Sequence, residues 1–249
     1  PKSFARQLTF HEKDPSHFNL APAISPDGKR MIYFTDKEDW EGLQLMEIQG
    51  RKDLGRILKS GSKGEHESLH PFSSGFSWAS DNKTIAFVSK QKGRDVIHVM
   101  DVDLGEVIEV IDPQLDMILN PAFNPANPQE LTFSGASKTQ QDLYIYDRQS
   151  ETLHQITQDK ATQNAPQFSP NGNLIVFQTN QLQGHQIAQD NNSLVLYHRD
   201  TQQFEVLVNG YAQSPQWMGN NYEVAYVSNH LGLSNVFYFD LKTKQSQAL

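Results

Sequence analysis

The chain contains no cysteine among its 249 residues, which removes disulfides, thiolate metal sites and a cysteine nucleophile together. Compartment stays open on this ground, since a cysteine-free chain suits an oxidising periplasm and a cytosol alike. No apolar run approaches the ~20 residues of a membrane-spanning helix. Basic clusters are equally scarce: nothing is denser than Lys90-Gln-Lys-Gly-Arg94, and the formal charge is −8 with a pI near 5.5. That balance disfavours nucleic acid as a partner. Also missing are a Gly-x-Ser-x-Gly elbow, a Gly-Lys-Ser/Thr phosphate loop and a dinucleotide-binding glycine fingerprint, so hydrolase, nucleotidase and dehydrogenase chemistry find no support. Helical spacing at i, i+3, i+4, i+7 is absent over any useful length.

What is present is a repeat. Five times an apolar segment runs into a small polar turn: Pro22-Ala-Ile24-Ser-Pro-Asp27-Gly28, Phe76-Ser-Trp78-Ala-Ser-Asp81-Asn82, Pro121-Ala-Phe123-Asn-Pro125, Pro166-Gln-Phe168-Ser-Pro-Asn171-Gly172 and Pro215-Gln-Trp217-Met-Gly-Asn-Asn221. The anchors Ile24, Trp78, Phe123, Phe168 and Trp217 recur every 45 to 54 residues, a period typical of propellers, solenoids and arrays. Each turn leads to a short apolar run such as Thr84-Ile-Ala-Phe-Val88, then to a second such as Val96-Ile-His-Val-Met100, then to a more polar stretch such as Val107-Ile-Glu-Val110. Counting the anchor segment, each repeat offers four strands, the content of a propeller blade. The middle strands Ile85 to Val88 and Val224 to Val227 are apolar at both parities, which predicts sheets covered on both faces.

The predicted fold is therefore all-β: a β-propeller of four-stranded antiparallel blades in one domain over 1–249. The repeats fall at about 18–62, 70–113, 117–158, 162–209 and 212–249. Residues 5–10 (Ala5 to Phe10) read as a stray outer strand. Since Ser246 to Leu249 already fill the last repeat's fourth strand, either five blades close with a spare strand or the chain is an excerpt of a larger, six-bladed ring. The chain opens on Pro1 rather than Met, which reads as a processed or excerpted chain.

The turn Ile24-Ser-Pro-Asp-Gly-Lys-Arg-Met-Ile-Tyr-Phe34, the loop Gly93-Arg-Asp95 ahead of Ile97-His-Val-Met-Asp-Val102, and Phe168-Ser-Pro-Asn-Gly-Asn-Leu-Ile-Val-Phe177 resemble the TolB-type (WD40-like) propeller repeat. Repeats two, three and five depart from that pattern at the turn (Ala79 to Asn82, Asn124 to Asn127, Met218 to Asn221), which leaves their turn geometry open. The resemblance implies a periplasmic or cell-envelope protein that binds a protein or peptide in a central depression. Related repeats are also appended to peptidases, and the segment His17 to Ser25 resembles propellers fused behind a metallopeptidase-like domain.

His66-Glu67-Ser-Leu-His70 matches the zinc-binding His-Glu-x-x-His pattern, which needs a helix to place both imidazoles on one face. Gly61, Gly64 and Pro71 argue against a helix there, and the repeat plan puts the segment in the loop between the first two blades. Asp101-Val-Asp-Leu-Gly105 has the carboxylate spacing of a calcium-loop fragment but lacks the remaining ligands, so it reads as a β-turn. Trp78 and Trp217 read as inter-blade core.

Because strands alternate in direction, connections after each second and fourth strand emerge at one end of a blade and the tight turns at the other. Binding tends to reside on irregular loops held by a rigid scaffold. The candidates on that end are Asp36, Asp39, Trp40, Arg94, Lys138, His185 and His230, joined from the inter-blade loops by His17, His70 and Tyr211. Histidines 11, 17, 66, 70, 185 and 230 all fall there. Solvated loop histidines are the plainer reading, with a metal or acid–base cluster as the sharper one.

Two functions follow. The first is a non-catalytic binding or scaffolding propeller that engages a protein or peptide, with no cofactor, no metal and no catalytic residue. The second is a metal-assisted carbohydrate lyase or hydrolase using His and carboxylate groups at the channel mouth. The absence of catalytic motifs leans against an enzyme.

Overall fold

In a computed structural model, residues 8–9, 17–37, 41–59, 67–70, 75–138, 140–181, 191–230 and 232–249 are described. They form five four-stranded antiparallel sheets, each with its strands in chain order. The fold is the expected all-β propeller of five blades. By chain contacts it divides into two compact units, Pro1–Ile111 and Asp112–Leu249.

The first unit holds blade 1, built from β1 (Asn19–Ile24), β2 (Arg30–Thr35), β3 (Gly42–Glu47) and β4 (Lys52–Lys59), and blade 2, built from β5 (Phe76–Trp78), β6 (Thr84–Gln91), β7 (Arg94–Asp101) and β8 (Glu106–Ile111). The two blades share one core: Ile32, Phe34, Leu43 and Leu45 meet Trp78, Ile85, Phe87 and Met100. The Trp78 indole N–H donates to the Ala23 carbonyl of blade 1 at 3.0 Å. Arg30 lies over the Trp78 ring, 5.5 Å from its centroid, and bonds the Asn82 carbonyl.

The second unit holds blade 3 from β9 (Met117–Asn124), β10 (Asn127–Ser137), β11 (Gln140–Asp147) and β12 (Thr152–Gln155). Blade 4 comprises β13 (Gln163–Phe168), β14 (Leu174–Thr179), β15 (Ser193–His198) and β16 (Gln203–Val208). Blade 5 comprises β17 (Ala212–Trp217), β18 (Glu223–Ser228), β19 (Asn235–Asp240) and β20 (Gln245–Ala248). Trp217 repeats the role of Trp78, donating to the Gln167 carbonyl of blade 4 at 3.1 Å.

A cross-strand aromatic pair recurs in the middle of the blades. Phe87 stacks on His98, Phe133 on Tyr144 and Tyr226 on Phe237, with centroids 5.2, 5.8 and 5.9 Å apart. Each pair is directly opposed across the second and third strands, the geometry in which side chains on a sheet interact most strongly.

Four first strands carry a bulge at the same place. Ala21, Asn120, Ala165 and Ser214 adopt positive φ, each immediately before a proline, and the ladder register shifts there. Proline has no N–H to offer the ladder, so the bulge falls where no donor is lost.

The tight turns are closed by side chains. Ser25 Oγ donates to Asp27 and accepts the Arg30 N–H, and Gly28 sits at φ 71°. Ser169, Asn171 and Gly172 reproduce this set. Repeat two keeps the geometry despite its different sequence: Asn82 takes the left-handed position at φ 61° and Asp81 accepts from Lys83 and Thr84. Repeat three does not, since Asn124 and Asn127 pair directly across a shorter turn. Asp101 caps its turn by accepting the Asp103 and Leu104 N–H groups, as the turn reading expects.

Two expectations need correction. Strand β18 is not covered on both faces, because Val224, Tyr226 and Ser228 are buried while Ala225 and Val227 are only half-buried. The buried parity packs on blade 4, and the other lacks an equal cover. Leu8 and Thr9 lie in irregular backbone, with Leu8 packed on Met31, Tyr33 and Met46; the rest of the strand expected at 5–10 lies outside the described residues. The anchor Ile24 is 56% exposed, unlike Trp78, which has blade 1 to pack against.

Candidate functional site

In the first unit the loop end is organised by two acid–histidine pairs. His17 Nδ1 lies 3.4 Å from Asp36 Oδ1, and the same carboxylate accepts the Phe18 N–H at 2.8 Å. The start of β1 is thereby tied to the exit of β2. His70 Nε2 lies 2.9 Å from Asp95 Oδ1, and Asp95 is buried. Asp95 reaches that position because it follows the Lys92–Gly93 turn, where both residues have positive φ and reverse the chain between β6 and β7.

The segment carrying the zinc-like motif is irregular, not helical, over its described residues 67–70. Ser68 bridges Lys90, Leu69 is fully buried in the shared core, and Glu67 accepts the Gly93 N–H at 3.2 Å. No helix forms over 67–70, and His70 takes a positive φ of 48°, so Glu67 and His70 do not share a helical face as the motif requires. His66 lies outside the described residues. Nearby, His98 is buried with its Nε2 2.8 Å from Ser89 Oγ; its ring packs as the aromatic partner of Phe87.

In the second unit the candidates are held separately. Lys138 is exposed at φ 60°, and its N–H donates to Asp116 at 2.7 Å. Tyr211 is exposed at φ 57° with its N–H bonded to Asn191. His230 Nδ1 lies 2.9 Å from Ser228 Oγ, with its ring 5.0 Å from Phe237. In the first unit, Arg94 is exposed at the start of β7. Asp39, Trp40, His11 and His185 lie outside the described residues. Among the described residues no three His, Asp or Glu side chains form a group able to hold a metal ion.

Sequence reading missed Asp95 and Asp142 as buried acids. Asp142 accepts from Thr157 Oγ1 at 3.1 Å and Gln155 Nε2 at 3.0 Å, tying β11 to the loop after β12. Burial raises its pKa above the usual carboxylate value. Gln163, also buried, donates to Asp159 at 2.9 Å. A charged residue heading an otherwise apolar strand was the available signal for both acids.

A second concavity lies at the opposite end, between blades 3 and 4. Ile145 and Ile156 from blade 3 and Tyr197 and Phe204 from blade 4 line a cavity of about 440 Å³, with Asp147 and Arg199 at its polar side.

The model of the TolB β-propeller domain matches residues 66–249. The chain belongs to the TolB β-propeller family. Solved structures of TolB-type propellers agree with it in fold. TolB from Acinetobacter baumannii superposes with a TM-score of 0.73 at 17% identity, covering 92% of this chain and 53% of that one. A protein described as putative TolB from Agrobacterium tumefaciens gives 0.71 at 16%, covering 93% and 80%. An oligogalacturonate lyase in complex with manganese gives 0.65 at 11%, covering 97% and 66%. The TolB-type chain described here thus spans about half of the Acinetobacter protein. No curated protein sequence matches it significantly.

Proposed function

We propose that the chain is a non-catalytic binding propeller of the bacterial cell envelope, engaging an extended protein or peptide segment through the loop-rich end of its blades. Family membership supports the envelope setting and the binding role. The observation that supports the reading is the exposed side chains at the blade ends opposite the capped turns: Arg94 and Lys138 stand at two-residue turns, and Tyr211 and His230 on irregular connections. Within the first unit His17 pairs with Asp36, and His70 with Asp95 beside Arg94; Asp39, Trp40 and His185 belong to the same candidate set by their place in the repeat.

The test is affinity capture from bacterial envelope extract by the purified chain, set against a triple variant carrying Arg94→Glu, Lys138→Glu and Tyr211→Ala. All three positions are exposed, so the variant keeps its fold by circular dichroism. Recovery of the captured partner drops at least about fivefold, as for loss of a few anchoring side chains. Equal recovery by the two proteins refutes this face as the binding surface.

A further inference from the structure

The cavity between blades 3 and 4 has a chemistry unlike that of the loop end, and what it offers goes beyond the reading above. It lies among the tight turns, bounded by the ends of β11 and β15 and the start of β16. Two of its hydrogen-bond donors, Arg199 and Gln155, are already engaged. Arg199 Nη2 binds Glu130 Oε1 at 2.9 Å, its Nη1 binds the Gly172 carbonyl at 2.8 Å, and its guanidinium lies 5.3 Å from the Phe168 ring centroid. Gln155 Nε2 is given to Asp142.

Two acceptors of the lining, Tyr197 and Asp147, keep capacity to spare. Tyr197 is only 7% exposed, lines the cavity, and its hydroxyl has no hydrogen-bond partner among the described residues. Asp147 uses its Oδ1 to cap the turn, accepting from Gln149 and Ser150 at 2.8 and 3.0 Å. These turn N–H groups, Ser150 foremost, hold the carboxyl below its usual pKa and keep it ionised. With Arg199 paired to Glu130, the basic side chain that acts on Asp147 is His154, which also lines the cavity. Beside them, Phe204 is 49% exposed, its ring tilted at 5.0 Å from that of Tyr197 and edge-on to Phe177.

A group that supplies several N–H donors, carries positive charge, needs no donor in return and stacks on an aromatic face is a guanidinium. We propose that this cavity is a docking site for an arginine side chain presented by an extended peptide segment of a partner protein, with Asp147 and the Tyr197 hydroxyl accepting its N–H groups and Phe204 stacking on its plane. Apolar residues flanking the arginine rest on Ile145 and Ile156. The excess of acid over base in the chain, −8 in formal charge, favours approach of such a basic segment. A neutral sugar would match the aromatic ring but would leave the charge of Asp147 unanswered.

The probe is the peptide Gly-Ser-Leu-Arg-Leu-Ser-Gly, titrated at low salt into the isotope-labelled chain and followed by amide chemical shifts. A second peptide replaces arginine with citrulline, which keeps the shape and removes the charge. Shifts concentrate at residues 145–156 and 197–204, and the citrulline peptide binds at least about tenfold more weakly. Asp147→Asn, which retains the turn-capping oxygen, weakens the arginine peptide at least about fivefold; Tyr197→Phe weakens it about threefold. Equal affinity of the two peptides, shifts centred elsewhere, no shifts at millimolar peptide, or stronger perturbation of these residues by maltotriose each overturn the proposal. The loop-end triple variant binds this peptide normally, so the outcome is independent of the proposed function.

Discussion

Single side chains in this protein carry measurable pH and packing consequences. Tyr33 is buried between Met31 and Met46, and burial, with Asp53 nearby, pushes its pKa from 10.0 to about 12. A folded-state value above the unfolded one means that the unfolded chain loses this proton more readily. The associated stability is complete below about pH 10 and lost as pH rises towards 12. The loss amounts to on the order of 2 kcal/mol. Tyr33→Phe flattens the fall in denaturant midpoint between pH 10 and pH 12, and an unchanged slope contradicts this assignment. Glycine substitutions separate strain from collision. At Gly28, φ 71°, an added Cβ meets nothing within 4 Å, whereas at Gly172, φ 74°, it meets Asn124 Oδ1 at 2.5 Å. Gly28→Ala costs about 1 kcal/mol for the backbone alone. Gly172→Ala costs about 1 kcal/mol more, because the Asn124 side chain must abandon the Ala126 N–H and Glu130 that it bonds. Equal losses in urea denaturation would show that Asn124 yields freely.

At the scale of elements, blades are locked by one repeated bond. Trp78 and Trp217 each give their indole N–H to the carbonyl of the penultimate residue of the preceding blade's first strand. Replacing either with Phe keeps most of the packing and orphans a carbonyl, at about 1–2 kcal/mol each. The two losses add in the double variant, as sites in different units share no partner. A double variant no weaker than either single one would show that these bonds do not hold the blades. Strand order, the strand runs and the capped turns were legible in the sequence, since each rests on local chemistry: β-branched and aromatic runs, Ser-Pro-Asp-Gly, Asp two or three residues before a turn N–H. Repeat two shows how far that reach extends. Ala79-Ser-Asp-Asn82 departs from the family turn yet folds like it, because Asn tolerates the left-handed conformation that Gly28 supplies elsewhere. The half-exposed parity of β18 was not legible, because apolar residues on both faces state what a strand tolerates and not what covers it.

For the whole molecule, acidity is the property that outweighs local detail. With a formal charge of −8 and a pI near 5.5, the chain repels itself at neutral pH and loses that protection on acidification. Turbidity is greatest near pH 5.5 in low salt, and a maximum above pH 7 would mean that the exposed charge differs from the composition. The sequence by itself determined the repeat, the all-β class and the four strands of each blade, because all of these follow from periodicity and turn chemistry along the chain. Only the tertiary structure decided which residues meet. His70 found a buried acid at Asp95, Ser68 was set against Lys90 of β6, and Tyr197, Phe204 and Asp147 were brought from two blades to one cavity. Partnership of that kind depends on sheet register and blade packing, which join residues dozens of positions apart and leave no mark in local sequence.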